Sequence, residues 1–147
     1  MRKLTNSEFK SVFGKVPRVT INLVVKDRRG VLLIKRSLKP DMGRWHLPGG
    51  TLYYKERIRH AVHRKAKEET GLKIKVKRFL GIYEIMGRMK EPGYAHCVDL
   101  AFLCIPVSGK LKGDRRYGGD ELHFFKKLPA NVPPEHRDIV KGRFMLQ

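Results

Sequence analysis

Acidic residues are scarce in this chain: 14 Asp plus Glu stand against 33 Lys plus Arg, a formal net charge of +19 over 147 residues. So positive a surface concentrates anions, including nucleotides, phosphate and nucleic acid, without choosing among them. The cations are dispersed through several connections instead of being gathered in one tail, which favours nonspecific nucleic-acid adhesion over a dedicated nucleic-acid function. Cysteine is almost missing. Cys97 and Cys104 are an odd number of positions apart in one apolar stretch, so a strand sends them to opposite faces and no disulfide between them is expected. Buried thiols in a cytoplasmic protein are the expectation. No apolar run approaches the roughly 20 residues that cross a bilayer. Residues 1–15 lack the apolar centre of a secretory signal, and a membrane is not among the expected partners.

What is present reads as one α/β domain over residues 1–147, with a short N-terminal extension at about 1–15. A hydrophobic fraction of 41% argues against global disorder. Residues 4–13 suggest a short helix. Residues 19–25 and 31–34 read as strands around the turn Asp27-Arg28-Arg29-Gly30, and residues 39–43 as a polar connection. Trp45-His46-Leu47-Pro48-Gly49-Gly50 has the composition of a shaped loop. Residues 57–70 form the clearest helix, with Ile58, Ala61, Val62 and Ala66 as its apolar stripe and Gly71 as its stop. Strand material follows at residues 74–83 and 97–107, with a charged break at 87–93 and a loop at 109–119. Leu122 to Phe125 and a helix from Glu135 to about Phe144, introduced by Pro133-Pro134, complete the reading.

The helix at 57–70 carries the chemistry. Glu68 and Glu69 are adjacent carboxylates in its last turn, where each disfavours the other and the helix dipole disfavours both unless a cation compensates. Mg²⁺ suits oxygen ligands and phosphates, and Mn²⁺ substitutes for it. Arg64 is four positions before Glu68 and can orient its carboxylate by an ion pair, while Glu56 at the far end reads as a cap or a loop–helix brace.

From Gly50 to Leu72 the chain resembles the Nudix box, whose pattern is Gly, five residues, Glu, seven residues, Arg-Glu, an apolar residue, any residue, Glu-Glu, any residue, Gly, apolar. In this register stand Gly50, Glu56, Arg64, Lys65, Ala66, Glu68, Glu69, Gly71 and Leu72, with Pro48-Gly49 preceding. Lys65 is the departure, since the family has glutamate there. The resemblance implies an α/β/α sandwich with a mixed sheet. It also implies a divalent-metal hydrolase of a nucleoside diphosphate linked to another moiety. The metal ligands would be the Gly49 carbonyl, Glu68 and Glu69, and the catalytic group Arg64, Glu68, Glu69 and Glu121. An ammonium at position 65 has no acceptor and opposes a nearby cation.

The chain also resembles, more loosely, the GDP-mannose mannosyl hydrolase branch. The residues that carry this are Asn22-Leu23-Val24-Val25, Lys35-Arg36, Pro40 through Gly43, Trp45, Pro48-Gly49-Gly50 and His96. That branch also lacks the glutamate at the position of Lys65. It breaks the bond at the sugar's anomeric carbon with one Mg²⁺ helping the GDP to leave. The resemblance implies a nucleotide sugar such as GDP-mannose as substrate, and a homodimer. Two positions depart from it: the catalytic histidine should fall near Gly119, and the guanine-facing aspartate corresponds to Asn22. ADP-ribose or dinucleotide pyrophosphohydrolysis is one alternative. A catalytically weak module that binds nucleotide or RNA, suggested by Lys65 and the net charge, is the other.

The remaining candidates each have a plainer reading. Arg36 suits a phosphate or simply ends a strand. Trp45 frames the substrate loop or fills the core. His96 faces phosphate or is a hydrogen-bonded histidine beside a strand. Glu121, with Asp120 before it, reaches the metal or a water, or marks a solvated strand entrance. Asp99, set between apolar residues, suggests an internal polar pair.

Overall fold

The computed structural model describes residues 3–87, 89–117, 119–144 and 146, so the loops expected at 87–93 and 109–119 each include one residue outside the described set. In chain order the elements are α1 (Asn6–Phe13), β1 (Arg18–Asp27), β2 (Gly30–Lys35), β3 (Trp45–His46) and β4 (Gly49–Thr51). They continue with α2 (Ile58–Thr70), β5 (Leu72–Met86), β6 (His96–Gly109), β7 (Glu121–Phe125) and α3 (Pro134–Val140).

The seven-stranded sheet runs β3-β2-β1-β6-β5, with β4 paired to β1 and β7 to β2. It is mixed: β1 and β6 are parallel, with Thr20 opposite Asp99 and Asn22 opposite Ala101, and the other pairings are antiparallel. The alternation of β1 divides the molecule. Ile21, Leu23 and Val25 point to one face and are packed under Ala61, Val62 and Ala66 of α2. Val24 points to the other, where Ile139 of α3 and Val132 just before that helix pack in one cluster with Leu33 and Ala101. This is the expected α/β/α sandwich.

Local chemistry sets the helix ends. Thr5 and Glu8 form a capping box that starts α1 two residues later than the apolar pattern suggests. Gly71, at φ 73°, closes α2 with its N–H on the Lys67 carbonyl. α3 stops at Val140, short of the expected Phe144, where Gly142 adopts φ 73° and turns the chain. Cys97 and Cys104 are both free and buried. No helix among the described residues is long and apolar enough to cross a membrane.

Candidate active site

Arg64 organises the entrance to α2. Its guanidinium forks onto Glu56, with Nε–Oε1 at 2.6 Å and Nη2–Oε2 at 2.7 Å. It also donates to the Thr51 carbonyl at 3.1 Å and to Glu68 Oε2 at 3.1 Å, and lies 4.0 Å over the Tyr53 ring. The Tyr53 N–H donates to Glu56 Oε2 at 3.1 Å. Glu56 is therefore a brace and not a cap, the helix beginning after Arg57 without a side-chain cap. Hydrogen bonds from Arg64 hold the Glu56 carboxyl below its ordinary range. Paired, planar N–H groups make this contact stiff as well as strong. The Arg64–Glu68 pair foreseen from spacing exists, as the weaker arm of this network.

One position further along α2, the departure from the box pattern becomes a built feature. Lys65 and Glu69 are both buried, at 7% and 6% exposure. Lys65 Nζ is 2.8 Å from Glu69 Oε1 and 3.4 Å from Glu68 Oε2. The other Glu69 oxygen accepts the Gly49 N–H at 2.9 Å, tying the helix to β4. Burial raises the Glu69 carboxyl above its ordinary range, against the pull of Lys65.

These residues border a cleft of about 300 Å³. Its floor is the α3-side face of the sheet: Thr20 and Asn22 of β1, Cys97 and Asp99 of β6, all lining the space. The Thr20 hydroxyl donates to Asp99, the internal polar pair expected at that position. Burial pushes the Asp99 carboxyl up to about 7, Arg18 pulling against it and Glu135 adding to it. The walls carry rings: Phe9, Tyr53, Tyr94 and Tyr117, with Arg18 stacked between Tyr94 at 4.6 Å and Phe9 at 5.5 Å. Glu135 and His136 of α3 complete it. The Leu47 N–H donates to His136 Nδ1 at 2.8 Å, so the ring proton belongs on Nε2 when the imidazole is neutral.

The fold thus brings together Gly49, Glu69, Asn22 and Arg36 on the cleft, with Arg64 and Glu68 bonded behind them. Arg36 donates to the Leu38 and Pro40 carbonyls at 2.9 Å and 2.5 Å, so it also shapes the loop beside it. Other candidates lie elsewhere. Trp45 stacks edge-on against Phe125 at 4.8 Å, within the apolar cluster under α3. His96 pairs with Glu84 at 3.0 Å between β5 and β6. Glu121 is 58% exposed and pairs with Lys35 at 3.2 Å, and Asp120 pairs with Arg115 at 3.0 Å. At Gly119 an added Cβ would sit 2.0 Å from the Lys35 carbonyl oxygen, so this backbone has no room for a side chain where the branch resemblance places a histidine. Sequence reasoning missed Phe9, Arg18, Thr20, His136 and Glu135 as cleft residues. Only the even spacing of Thr20 and Asn22 hinted that a polar face was interrupting an apolar strand.

The donor set can be tested against a divalent ion by its charge. Three carboxylates, Glu56, Glu68 and Glu69, are paired with two cations, Arg64 and Lys65, and the Arg36 charge also acts on Glu69. Among the described residues no group of three or more His, Cys, Asp or Glu is arranged to hold an ion. With Lys65 at the family's glutamate position, the oxygens left to a hard cation are those of Glu68, Glu69 and the Gly49 carbonyl, a donor type that such ions take.

The match to known proteins agrees with this geometry. The family model described as the NUDIX domain matches residues 16–142. An ADP-ribose pyrophosphatase of Methanocaldococcus jannaschii is 34% identical over 125 residues, covering 85% of this chain and 72% of that protein. The low-salt glycan biosynthesis protein Agl8 of Haloferax volcanii is 34% identical over 82 residues, covering 56% of this chain. The matched region is 53%, about half, of Agl8's own length. A MutT NUDIX hydrolase structure from Burkholderia pseudomallei superposes with TM-score 0.73 at 28% identity, over 86% of this chain and 98% of that one. With the box, the sandwich and the family match over residues 16–142 in agreement, the chain belongs to the Nudix hydrolase family.

Proposed function

We propose that this chain hydrolyses a nucleoside diphosphate linked to a sugar, at a phosphorus–oxygen bond, with ADP-ribose the first substrate to try. The observation that carries the reading is the Gly49–Glu69–Lys65 contact opening on a ring-walled, cation-lined cleft. The aromatic walls suit a nucleobase, which stacks on rings. Lys65 and Arg36 suit the diphosphate, as fixed positive charge in a partly dry site. Asn22 and Thr20, polar and nearly dry on the floor, suit the edge of the base.

Bound on Glu68, Glu69 and the Gly49 carbonyl, Mg²⁺ or Mn²⁺ would neutralise phosphate charge and stabilise the leaving oxygen. Arg64 holds Glu68 in place. Glu68, with a side chain 20% exposed against 7% for Glu69, is the carboxylate that meets water. Two supports favour ADP-ribose over GDP-mannose: the long match to the pyrophosphatase, and the lack of room at Gly119 for the histidine of the sugar-cleaving branch.

A panel of nucleotide sugars and dinucleotides in ¹⁸O-labelled water, with Mg²⁺ and with Mn²⁺, tests the reading. Label in a phosphate product of ADP-ribose is expected. Label in the released sugar would overturn the bond assignment, and no turnover of any panel member would overturn the enzyme reading.

A further inference from the structure

Lys65 stands where the family pattern has a carboxylate, and the structure has built around it. We propose that its ammonium is a tethered cation: it takes the place of one divalent ion, neutralising Glu69 and then the diphosphate of the substrate. This rests on the diphosphate reading above and adds a consequence that reading does not contain. The chain should hold phosphate in the absence of metal and bind no more than one divalent ion.

Four observations converge. Nζ bridges Glu69 at 2.8 Å and Glu68 at 3.4 Å, the two carboxylates that the pattern assigns to metal. The neighbouring strand gives the lysine its space: Gly50 of β4 adopts φ +141°, and a Cβ there would lie 2.8 Å from Lys65 Cε and 3.1 Å from Nζ. A side chain at position 50 would therefore crowd the end of the lysine and shift it. Lys65 also borders the cleft, 5.9 Å from the Tyr117 ring centre. Its own side chain is only 9% exposed, so a phosphate reaching it meets a charge little screened by water. Finally, with Arg64 on Glu56 and Glu68 and Arg36 also acting on Glu69, the carboxylates are largely neutralised by side chains before any metal ion binds.

The chemistry of an ammonium completes the argument. It has three N–H donors and no acceptor. Two carboxylates take two of them, and the third is directed by neither. A metal ion brought within about 4 Å of Nζ is repelled, the more so in a partly dry site. A phosphate oxygen brought to the same place is attracted. Lys65 therefore sets ion count and metal dependence together, which a lysine serving only as a stabilising helix pair would not do.

Two wild-type measurements need no variant. Mn²⁺ titration followed by electron paramagnetic resonance should count at most one tightly bound ion per chain. Calorimetry with inorganic pyrophosphate in excess EDTA should still detect binding at the cleft. Lys65→Gln should weaken that metal-free binding by tenfold or more, while Lys65→Arg retains most of it and the exposed-site control Lys110→Gln leaves it unchanged. Lys65→Glu should add a second Mn²⁺ or tighten the first by tenfold or more. If Lys65→Gln fails to fold, Lys65→Gln with Glu69→Gln removes both buried charges and gives the same reading in EDTA.

Two or more tight ions in wild type, pyrophosphate binding that vanishes in EDTA, or a folded Lys65→Gln that binds pyrophosphate like wild type would each overturn the proposal. Any of these alongside ADP-ribose turnover leaves the hydrolase reading standing. Lys65-dependent binding without turnover of any substrate leaves the tethered cation and removes the hydrolase.

Discussion

The two faces of β1 are made from one stretch of sequence and do opposite things. Ile21, Leu23 and Val25 are completely buried under α2, in a core built of aliphatic contacts. Thr20 and Asn22, on the other face, are nearly as buried, at 4% and 5%, but they floor a cleft with Asp99 beside them. The difference teaches where stability and function are separated. The α2 face gains from excluding water, and its contacts with β1 are aliphatic. The α3 face keeps desolvated polar groups that cost stability unless each has a partner. Glu69 sits where the two meet: its helix is held by the apolar face, while its carboxylate reaches round to β4 and the cleft.

The largest effect expected is on the apolar side. Leu23→Ala removes a fully buried side chain and should cost about 2–5 kcal/mol, as large-to-small core changes do. Chemical denaturation measures it, and a loss below about 1 kcal/mol would mean that the α2 face is not the stabilising core. Next comes the junction. Glu69→Gln should lower metal-dependent turnover by about 10²-fold, the scale of losing a group that stabilises transition-state charge. It also leaves the Lys65 ammonium without its nearest counter-charge, so the variant should melt lower, and Lys65→Gln added to it should recover the melting temperature without recovering turnover. Turnover close to wild type across a Mg²⁺ titration, in a folded Glu69→Gln, would remove Glu69 from the site.

The polar face makes a prediction of its own through pH. Asp99 is raised from 3.8 to about 7 by burial, with Arg18 and Glu135 facing it. Such an acid holds its proton more tightly folded than unfolded. Its favourable contribution is complete below about pH 4 and is lost as pH rises through about 7. Asp99→Asn removes the titration while keeping an acceptor for Thr20. Wild type should therefore lose about 1–4 kcal/mol relative to Asp99→Asn between pH 4 and pH 8, at the scale of 1.36 kcal/mol per pKa unit. Parallel urea melts check it, and equal slopes in the two proteins would contradict it.

The smallest effects belong to residues outside both faces. Glu121→Gln loosens an exposed pair with Lys35, a contact worth about 0–1 kcal/mol. His96→Ala similarly removes the pair with Glu84. Each should change turnover by less than about threefold on the scale of such surface pairs. A tenfold loss of kcat in Glu121→Gln would return it to the catalytic group.

Much of the site was legible along the chain because it is local. Arg64, Lys65, Glu68 and Glu69 share one helix, so helical spacing already pairs Arg64 with Glu68 and Lys65 with Glu69. The brace role of Glu56 was readable as one of two options, and the structure selected it through the fork from Arg64. Trp45 was balanced between loop and core, and its stacking on Phe125 puts it among core residues. Apart from Asn22, the cleft's polar lining was not legible, because Thr20, Asp99, Glu135 and His136 come from distant segments. Nothing in their separate neighbourhoods requires that they meet.

By itself, then, the sequence determined what one helix and its flanking loop can express: the box register, the lysine in place of a carboxylate, the glycine that ends α2 and the alternation that buries half of β1. These follow from spacing, since helix and strand periods are properties of the backbone. Only the tertiary structure decided that the Lys65 ammonium would bridge both carboxylates, that Gly50 would leave it space, and that α1 and α3 would wall a cleft against the polar face of the sheet. The parallel β1–β6 pairing sets Thr20 beside Asp99 across 79 positions of chain. Such long-range pairing depends on how whole elements pack, and a local pattern carries no record of it.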